Sequence, residues 1–172
     1  MYKRIEVDNL KEIQEELIHY NFFEHNYLTS EWGTNDGGIE GNHVEFDPLE
    51  TSAAYFEKIP ELTKLKKFLN SIIDPNAISH FYVMNFAGGF HSDIHMDVDS
   101  KWALNIPILN CENSSTIFYD KENKEINRIT LDVPHFLNVG NHYHQMINHN
   151  DKKNRLALSI RFNKQTLDEI TK

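Results

Sequence analysis

The sequence predicts a mainly β protein with N-terminal helices, in which the helices pack on one outer face of a sandwich or barrel. Two amphipathic helical patterns occur early, over residues 8–20 and 60–73. After Pro75 the pattern changes to short segments rich in β-branched and aromatic residues, separated by turn signals. Because no helical pattern separates these segments, parallel βαβ units are not expected.

Each predicted helix has a recognisable start. In residues 8–20, Asp8 or Asn9 can cap the first turn, and apolar residues then recur at helical spacing. In residues 60–73, Pro60 lies near the first turn, and Leu62, Leu65, Leu69 and Ile72 form an apolar stripe along one side. Both helices therefore have one apolar face to bury against a sheet.

The strand-like segments after Pro75 define the core of one predicted domain, residues 1–172. Within it, residues 1–75 supply helical support and a loop, and residues 76–165 supply the β core. The run NHYHQMINHN at 141–150 is interpreted as turn-rich. The expected strands are 78–86, 102–109, 115–120, 125–132, 135–139 and 155–162.

Composition limits the classes of function. A hydrophobic fraction of 40% is typical of a folded chain, and a formal charge of −9 argues against non-specific binding to nucleic acid or anionic membranes. The single cysteine, Cys111, excludes an internal disulfide and is typical of a reducing compartment. The acidic, amphipathic N-terminus does not resemble a signal peptide, and no apolar run approaches the roughly 20 residues that span a bilayer. We expect a soluble, cytoplasmic protein.

The ten histidines cluster near two strand ends. His91 and His95 follow the first strand after Pro75, and His142, His144 and His149 precede the last strand. At one mouth of a barrel these segments could meet, and two imidazoles with one carboxylate would leave metal positions open, as in Fe(II) sites for oxygen chemistry. Calcium and structural zinc are weaker interpretations, because the EF-hand spacing and the cysteines they need are missing.

A larger pattern surrounds the histidines. The stretch NFAGGFHSDIHMDVDSKWALNIPILNCENSSTIFY, followed by HQMINHNDKKNRLALSIRF, resembles the Fe(II)/2-oxoglutarate-dependent oxygenases. It is most similar to the branch with prolyl hydroxylases and aspartyl/asparaginyl β-hydroxylase-like proteins, over roughly residues 78–162. The resemblance implies a double-stranded β-helix, the jelly roll of cupin-like proteins. It also implies Fe(II), 2-oxoglutarate and O₂, with hydroxylation of a C–H bond in a peptide, protein or amino acid.

The motif H-x-D occurs twice, and the resemblance separates the two copies. In the family several residues lie between the Gly-Gly pair and the metal histidine, and His95 stands six positions after Gly89. The resemblance therefore implies that His95 and Asp97 bind the metal. The first copy, His91 and Asp93, is expected on the substrate side.

For the second metal histidine there are three candidates. The run HQMIN resembles the family's H-x-x-x-N, which favours His144, with Asn148 four residues later. His142 has the same strand parity and is expected at the rim, where it could contact substrate. His149 lies in a polar turn and is expected in solvent.

A buried co-substrate carboxylate needs a cation, and the planar fork of arginine suits it. Arg155 lies eleven residues after His144, close to the family's spacing for the 2-oxoglutarate anchor, although the family's R-x-S pattern is not met. Ser159 shares a strand face with Arg155 and is expected to help, and Arg161 is the alternative anchor. The further expected co-substrate ligands are Tyr82, Asn85 and Asn105.

The segment 29–43, which contains Trp32, is rich in Gly, Asn and Asp and is expected to be a loop that forms a lid over the substrate, with Trp32 as a candidate substrate contact. Two other functions are compatible with the sequence. One is a cupin-like metalloenzyme with the same ligands that does not use 2-oxoglutarate. The other is a non-catalytic jelly-roll binding module whose histidines are incidental.

Overall fold

The computed structural model describes residues 1–20, 28–32, 41–45 and 59–172, with backbone alone for 28–32, 41–45 and Tyr82. These residues form two antiparallel sheets and two helices. The helices are α1 (Leu10–Tyr20) and α2 (Thr63–Ile72). The strands are β1 (Tyr2–Arg4), β2 (Leu28–Trp32), β3 (Gly41–Glu45), β4 (Ile78–Phe86), β5 (Trp102–Leu109), β6 (Ser114–Tyr119), β7 (Glu125–Thr130), β8 (His135–Leu137), β9 (Tyr143–Asn148) and β10 (Arg155–Phe162).

The larger sheet has seven strands in the order β1-β8-β5-β10-β4-β3-β2, and the smaller has three in the order β7-β6-β9. Neighbouring strands are antiparallel throughout and often distant in sequence, so the chain passes repeatedly between the two sheets. This arrangement is the double-stranded β-helix, and it confirms the predicted fold class. Short 3₁₀ turns at Pro75–Ala77 and Leu167–Glu169 flank the core.

Both helices cover the outer face of the larger sheet, as predicted. Ile13 and Leu17 of α1 and Leu65 and Leu69 of α2 are buried in one cluster with alternate residues of β4, β5 and β10. Burying each such side chain stabilises the fold by about 1.5–3 kcal/mol. Among the described residues, no helix is long and apolar enough to cross a membrane.

Two polar contacts fix the position of α1. The Glu16 carboxylate accepts hydrogen bonds from the backbone N–H groups of Lys64 (2.9 Å) and Leu65 (2.9 Å), which lie in the first turn of α2. Those N–H groups have no partner within their own helix, so α1 caps α2. Gln14 Nε2 also donates to the Pro107 carbonyl of β5 at 3.2 Å, which joins α1 to the sheet.

The inner faces of the two sheets meet in two smaller clusters. At one end, Met84 and Ala157 of the larger sheet contact Met146 of the smaller sheet's β9. At the other end, Ala103 and Leu137 pack with Phe118. Side chains that point inward from β5 and β10 therefore enter the space between the sheets.

The Gly-Gly pair after β4 serves two separate purposes. A Cβ atom on Gly88 would lie 2.7 Å from the Asn150 carbonyl oxygen, closer than real Cβ atoms come to backbone. Gly89 has a φ of 77°, a left-handed conformation that glycine adopts without steric cost. The two glycines therefore let the chain leave β4 against the β9–β10 turn.

Asn148 explains why an asparagine follows the distal histidine by four residues. Its side chain is fully buried, and its Nδ2 donates to the carbonyls of Phe86 (3.0 Å), Ala87 (2.9 Å) and Lys153 (2.9 Å). Its Oδ1 accepts from the Asn150 N–H at 3.1 Å. One amide thus joins the end of β4 to the turn between β9 and β10.

Three parts of the sequence prediction are wrong. Residues 28–32 and 41–45 form β2 and β3, not a loop, because β3 pairs with the edge strand β4 and β2 pairs with β3. Tyr143–Asn148 forms β9 rather than turns, because β6 supplies its partner groups. The short strand β1 at the edge of the larger sheet was not expected. Residues 33–40, the middle of the expected lid, lie outside the described residues.

We expect Asn148→Ala to lower the free energy of unfolding by about 2–4 kcal/mol, because it leaves several buried carbonyls without a donor. In a chain of this length that corresponds to a fall in Tm of roughly 5–15 °C, measurable by calorimetry. The matched control is Asn141→Ala, since Asn141 is exposed and its amide donates to Asn138 Oδ1 near the surface. Equal Tm values for the two variants would contradict the joining role of Asn148.

Candidate functional site

The chain between β4 and β5 runs beside β9 and extends the smaller sheet by an irregular strand. Backbone hydrogen bonds connect Ser92 N to Met146 O (2.9 Å), and His95 and His144 exchange two bonds of 3.0 and 2.8 Å. Because directly paired residues in a sheet project to the same face, the His95 and His144 rings come together, with centroids 4.4 Å apart. A further bond from Asp97 N to Val139 O (3.0 Å) fixes the chain beyond them.

Three donor atoms converge here. Asp97 Oδ1 lies 3.3 Å from His95 Nε2 and 3.7 Å from His144 Nε2, and all the candidate ligand atoms lie within 4.8 Å of one another. Two ligands that bind one first-row metal ion at about 2.1 Å and at right angles are about 3 Å apart. The observed spacing is therefore close to that of adjacent ligands on one ion.

Both imidazole rings are oriented by backbone carbonyls. His95 Nδ1 lies 2.8 Å from the Asp93 carbonyl oxygen, and His144 Nδ1 lies 3.2 Å from the His142 carbonyl oxygen. A carbonyl can only accept, so Nδ1 of each neutral ring carries the hydrogen and Nε2 keeps its lone pair. The two lone pairs then point toward Asp97, the orientation that metal binding requires.

The charges of the three residues differ. Burial raises the pKa of Asp97, but the Arg161 guanidinium and the two imidazoles lower it by a larger amount. The pKa of this carboxyl therefore lies well below its usual range. The hydrogen bond to Asp97 raises the pKa of His95 despite partial burial. Burial lowers the pKa of His144 to about 4, although Asp97 opposes this. The site is thus a carboxylate with one imidazole that readily protonates and one that stays neutral.

Arg161, considered above as the alternative co-substrate anchor, pairs with this carboxylate instead. Its Nη1 donates to Asp97 Oδ2 and lies 3.4 Å from Ser100 Oγ. The Arg161 side chain is buried, at the end of β10 nearest the cluster. The two oxygens of Asp97 therefore face different partners, Oδ1 the histidines and Oδ2 the guanidinium.

A cavity of about 370 Å³ opens beside the cluster and reaches solvent. Asp93 and Asp99 are its exposed acidic residues, and His95, Asp97 and Arg161 line its inner end. Its apolar lining consists of Phe90, Met96, Val98 and Met146. The candidate ligands are therefore accessible from outside, through an opening that is partly acidic and partly apolar.

A second cationic group lies deeper between the sheets. Arg155 shares a strand face with Arg161, and the Cα atoms of the two residues are about 20 Å apart along β10. It is 2% exposed, its guanidinium lies 5.4 Å from the centre of the Phe86 ring, and its Nε has no hydrogen-bond partner. Burial lowers its pKa, which the neighbouring Cys111 opposes. Among the described side chains, no carboxylate pairs with Arg155.

Ser159 and Asn105 lie between the two arginines, directly opposite each other in β10 and β5. Ser159 is 0% exposed and Asn105 2%, and neither Ser159 Oγ nor Asn105 Oδ1 has a partner. On the other side of Ser159 the backbone of Tyr82 is in register, although its side chain is not described. A buried hydroxyl or amide without a partner costs about 1–3 kcal/mol, so this interior row is suited to a polar ligand.

The remaining expected residues lie elsewhere. Asn85 lies on the face of β4 opposite to Met84, and its Oδ1 accepts from Asn154 Nδ2 at 3.0 Å near the surface, so the structure does not bring it to the interior. His91 pairs with Ile147 and is not among the residues that line the cavity. His142 lies edge-on to Phe118, with ring centroids 6.2 Å apart. Trp32 ends β2, and its side chain is not described.

Two features were missed from the sequence. The Arg161–Asp97 pair joins residues sixty-four positions apart. The strand parity of RLALSIRF indicated that Arg161 shares a face with Arg155, but not that it contacts Asp97. His135, buried and in register with Asn105, extends the interior polar row, and its Nδ1 lies 2.7 Å from the Val133 carbonyl oxygen. No sequence signal distinguished His135 from the other histidines.

No family model matches the chain, and no curated protein matches it in sequence. Solved structures do match. An oxidoreductase of the 2OG-Fe(II) oxygenase family from Burkholderia pseudomallei has a TM-score of 0.56 and 8% identity, over 94% of this chain and 93% of that one. The non-heme α-ketoglutarate-dependent epimerase SnoN from nogalamycin biosynthesis has a TM-score of 0.59 and 14% identity, over 96% and 79%.

A prolyl-4-hydroxylase from Pseudomonas putida matches with a TM-score of 0.51 and 10% identity, over 96% of this chain and 92% of that one. At such identities the likeness concerns the fold and not the chemistry. This chain therefore has the double-stranded β-helix fold that these oxygenase structures share.

Proposed function

We propose that the chain is an Fe(II)- and 2-oxoglutarate-dependent oxygenase that hydroxylates a C–H bond. The observation that carries this proposal is the convergence of His95 Nε2 and His144 Nε2 on Asp97 Oδ1 at an open cavity. The fold that the chain shares with structures of such oxygenases supports it, as does the resemblance of the sequence to that family. An intracellular location belongs to the same proposal.

The donor set fits the metal. Two imidazoles and one carboxylate on one side of an ion are the ligands that suit Fe(II) in oxygenases, and they leave positions open for other ligands. In the proposed enzyme His95, Asp97 and His144 would hold the ion. The bound ion and 2-oxoglutarate would together supply the oxidising chemistry, while the chain orients the ligands and limits access of water.

The interior also fits the co-substrate. A cation–π contact with Phe86 contributes about 0.5–2 kcal/mol, less than the several kcal/mol that burial of an unpaired guanidinium costs. A dicarboxylate would supply the missing partner, and we propose that Arg155 binds the far carboxylate of 2-oxoglutarate. Ser159 and Asn105, whose buried polar atoms have no partner, would bind along its length. Tyr82 is kept as a candidate co-substrate ligand because its backbone is in register with Ser159. Asn85 is not proposed as a ligand, because its side chain pairs with Asn154 near the surface.

For the substrate we propose a peptide, protein or amino-acid side chain. The cavity, at about 370 Å³, has room for a side chain and opens to solvent beside the proposed ligands. The exposed Asp93 and Asp99 are among the residues that line it. His91 and His142 lie outside the cavity lining, so a direct contact with substrate is not assigned to them.

The pKa shifts predict how metal affinity depends on pH. The hydrogen bond to Asp97 raises the pKa of His95 and so widens the pH range in which this ring holds a proton; below that pKa metal binding must displace the proton, and affinity falls as pH drops. His144, with a pKa of about 4, is already neutral and releases no proton. Below the His95 pKa, the apparent Kd for Co(II) should rise about tenfold per pH unit.

Anaerobic Co(II) titrations between about pH 5 and 8 would test this, a range set by the ordinary pKa of histidine. His142→Ala is the matched control, because it removes a neighbouring imidazole of the same strand and should leave the slope unchanged. A slope of two protons, or no binding by the wild type, would contradict the assignment. His95→Ala, Asp97→Ala and His144→Ala should each lose metal binding.

The co-substrate assignment gives a further prediction. Anaerobic addition of 2-oxoglutarate to the Fe(II)-loaded protein should produce a weak visible charge-transfer band. In Arg155→Met, 2-oxoglutarate should bind about 10–100-fold more weakly, the effect of losing a charge-assisted bidentate pair. Because the substitution removes a buried unpaired charge, the Tm without co-substrate should be unchanged or higher.

Arg128→Met is the control for that experiment, since Arg128 is an exposed arginine that pairs with Glu125 at 2.7 Å. Equal 2-oxoglutarate affinity in Arg155→Met and the wild type would overturn the anchor. Metal binding with no response to 2-oxoglutarate would instead favour a cupin-like metalloenzyme. Absence of metal binding would favour a binding module.

A further inference from the structure

Arg161 approaches the candidate metal site from a different part of the fold than the three ligands do. His95 and Asp97 come from the chain between β4 and β5, and His144 from the smaller sheet. Arg161 comes from β10, in the middle of the larger sheet. Its side chain is 6% exposed, and its Nη1 reaches Asp97 Oδ2 and Ser100 Oγ. The backbone of Arg161 is therefore held by the larger sheet, separately from the segments that carry the three candidate ligands.

Because of the guanidinium, the two oxygens of the Asp97 carboxylate have different partners. Oδ1 faces both histidine Nε2 atoms, at 3.3 and 3.7 Å, while Oδ2 accepts from Arg161. Carboxylates bind metals through one oxygen or through both. Since Oδ2 is held by a partly buried charge-assisted hydrogen bond, Oδ1 is the oxygen left on the side where the imidazole lone pairs converge.

We propose that Arg161 is a positioning residue that keeps Asp97 monodentate and so preserves an open position on the metal. This inference rests on the proposed metal function. Three single-atom ligands leave three positions of a six-coordinate ion open, whereas a bidentate Asp97 leaves two. A chelating co-substrate occupies two positions, so O₂ binding depends on the third.

Metal affinity alone would not reveal this role. Removal of Arg161 releases Asp97 from its orientation, which weakens binding, but it also removes a positive charge near the cation, which strengthens binding. These two effects oppose each other, and their sum has no defined sign. The number of exchangeable positions on the bound ion does have an expected direction of change. It decreases only if the second oxygen of Asp97 also binds the ion.

The experiment uses Mn(II), which takes the same ligands without reacting with O₂. The water-proton relaxation rate of the Mn(II)-loaded protein reports the number of coordinated waters. In Arg161→Met this rate should fall by about one third, as three open positions become two. In Arg161→Lys, whose ammonium can still donate to Oδ2, it should stay near the wild-type value. Arg128→Met is the control for removal of an arginine charge.

Circular dichroism of the metal-free variants separates a loss of folding from this effect. Should Arg161→Met not fold, Arg161→Gln serves in its place, since its shorter amide also leaves Asp97 Oδ2 unbound. An unchanged relaxation rate in a folded, Mn(II)-loaded Arg161→Met or Arg161→Gln would overturn the inference. Failure of the wild type to bind Mn(II) at all would overturn the proposed metal function instead, which keeps the two outcomes apart.

Discussion

The antiparallel pairing of the β4–β5 connection with β9 is the interaction on which the candidate site depends. His95 and His144 exchange backbone hydrogen bonds of 3.0 and 2.8 Å, although they are far apart in sequence. This pairing presents both rings on one face, and the carbonyls two residues earlier orient their Nδ1 atoms. The Gly88–Gly89 turn and the buried Asn148 amide hold the same connection at its other end. Backbone geometry therefore places the candidate ligands.

The space between the sheets contains more buried polar groups than stability alone would favour. Arg155, Ser159 and Asn105 are buried with polar atoms that lack partners, and each such atom opposes folding by a kcal/mol or more. The outer face of the larger sheet offsets this, because the helices bury a continuous apolar cluster there. Through the alternation of side chains along β5 and β10, one sheet thus has an apolar face packed against the helices and an inner face with the polar residues proposed to bind a ligand.

The two inward-facing arginines of β10 have different surroundings, and we propose different roles for them. Arg161 pairs with Asp97 beside the opening, so its charge is balanced within the chain. Arg155 is surrounded by Phe86 and Cys111, and no described carboxylate balances it. A cation that is balanced internally orients its partner, while one that is not provides affinity for an external anion. The spacing from His144 favoured Arg155 over Arg161 as the anchor, but nothing in the sequence RLALSIRF indicated that Arg161 pairs with Asp97.

What the sequence alone determined was local: both helices, the main strands of the core, and which histidines and carboxylates stand at strand ends. Hydrophobic periodicity and turn residues depend on near neighbours, so β4, β5 and β10 were predicted to the residue. Tertiary structure decided β2, β3 and β9, whose polar residues become strands only through their partners. It also decided that Asn85 faces outward and that Arg161 holds Asp97, because contacts between distant segments leave no periodic trace in the chain.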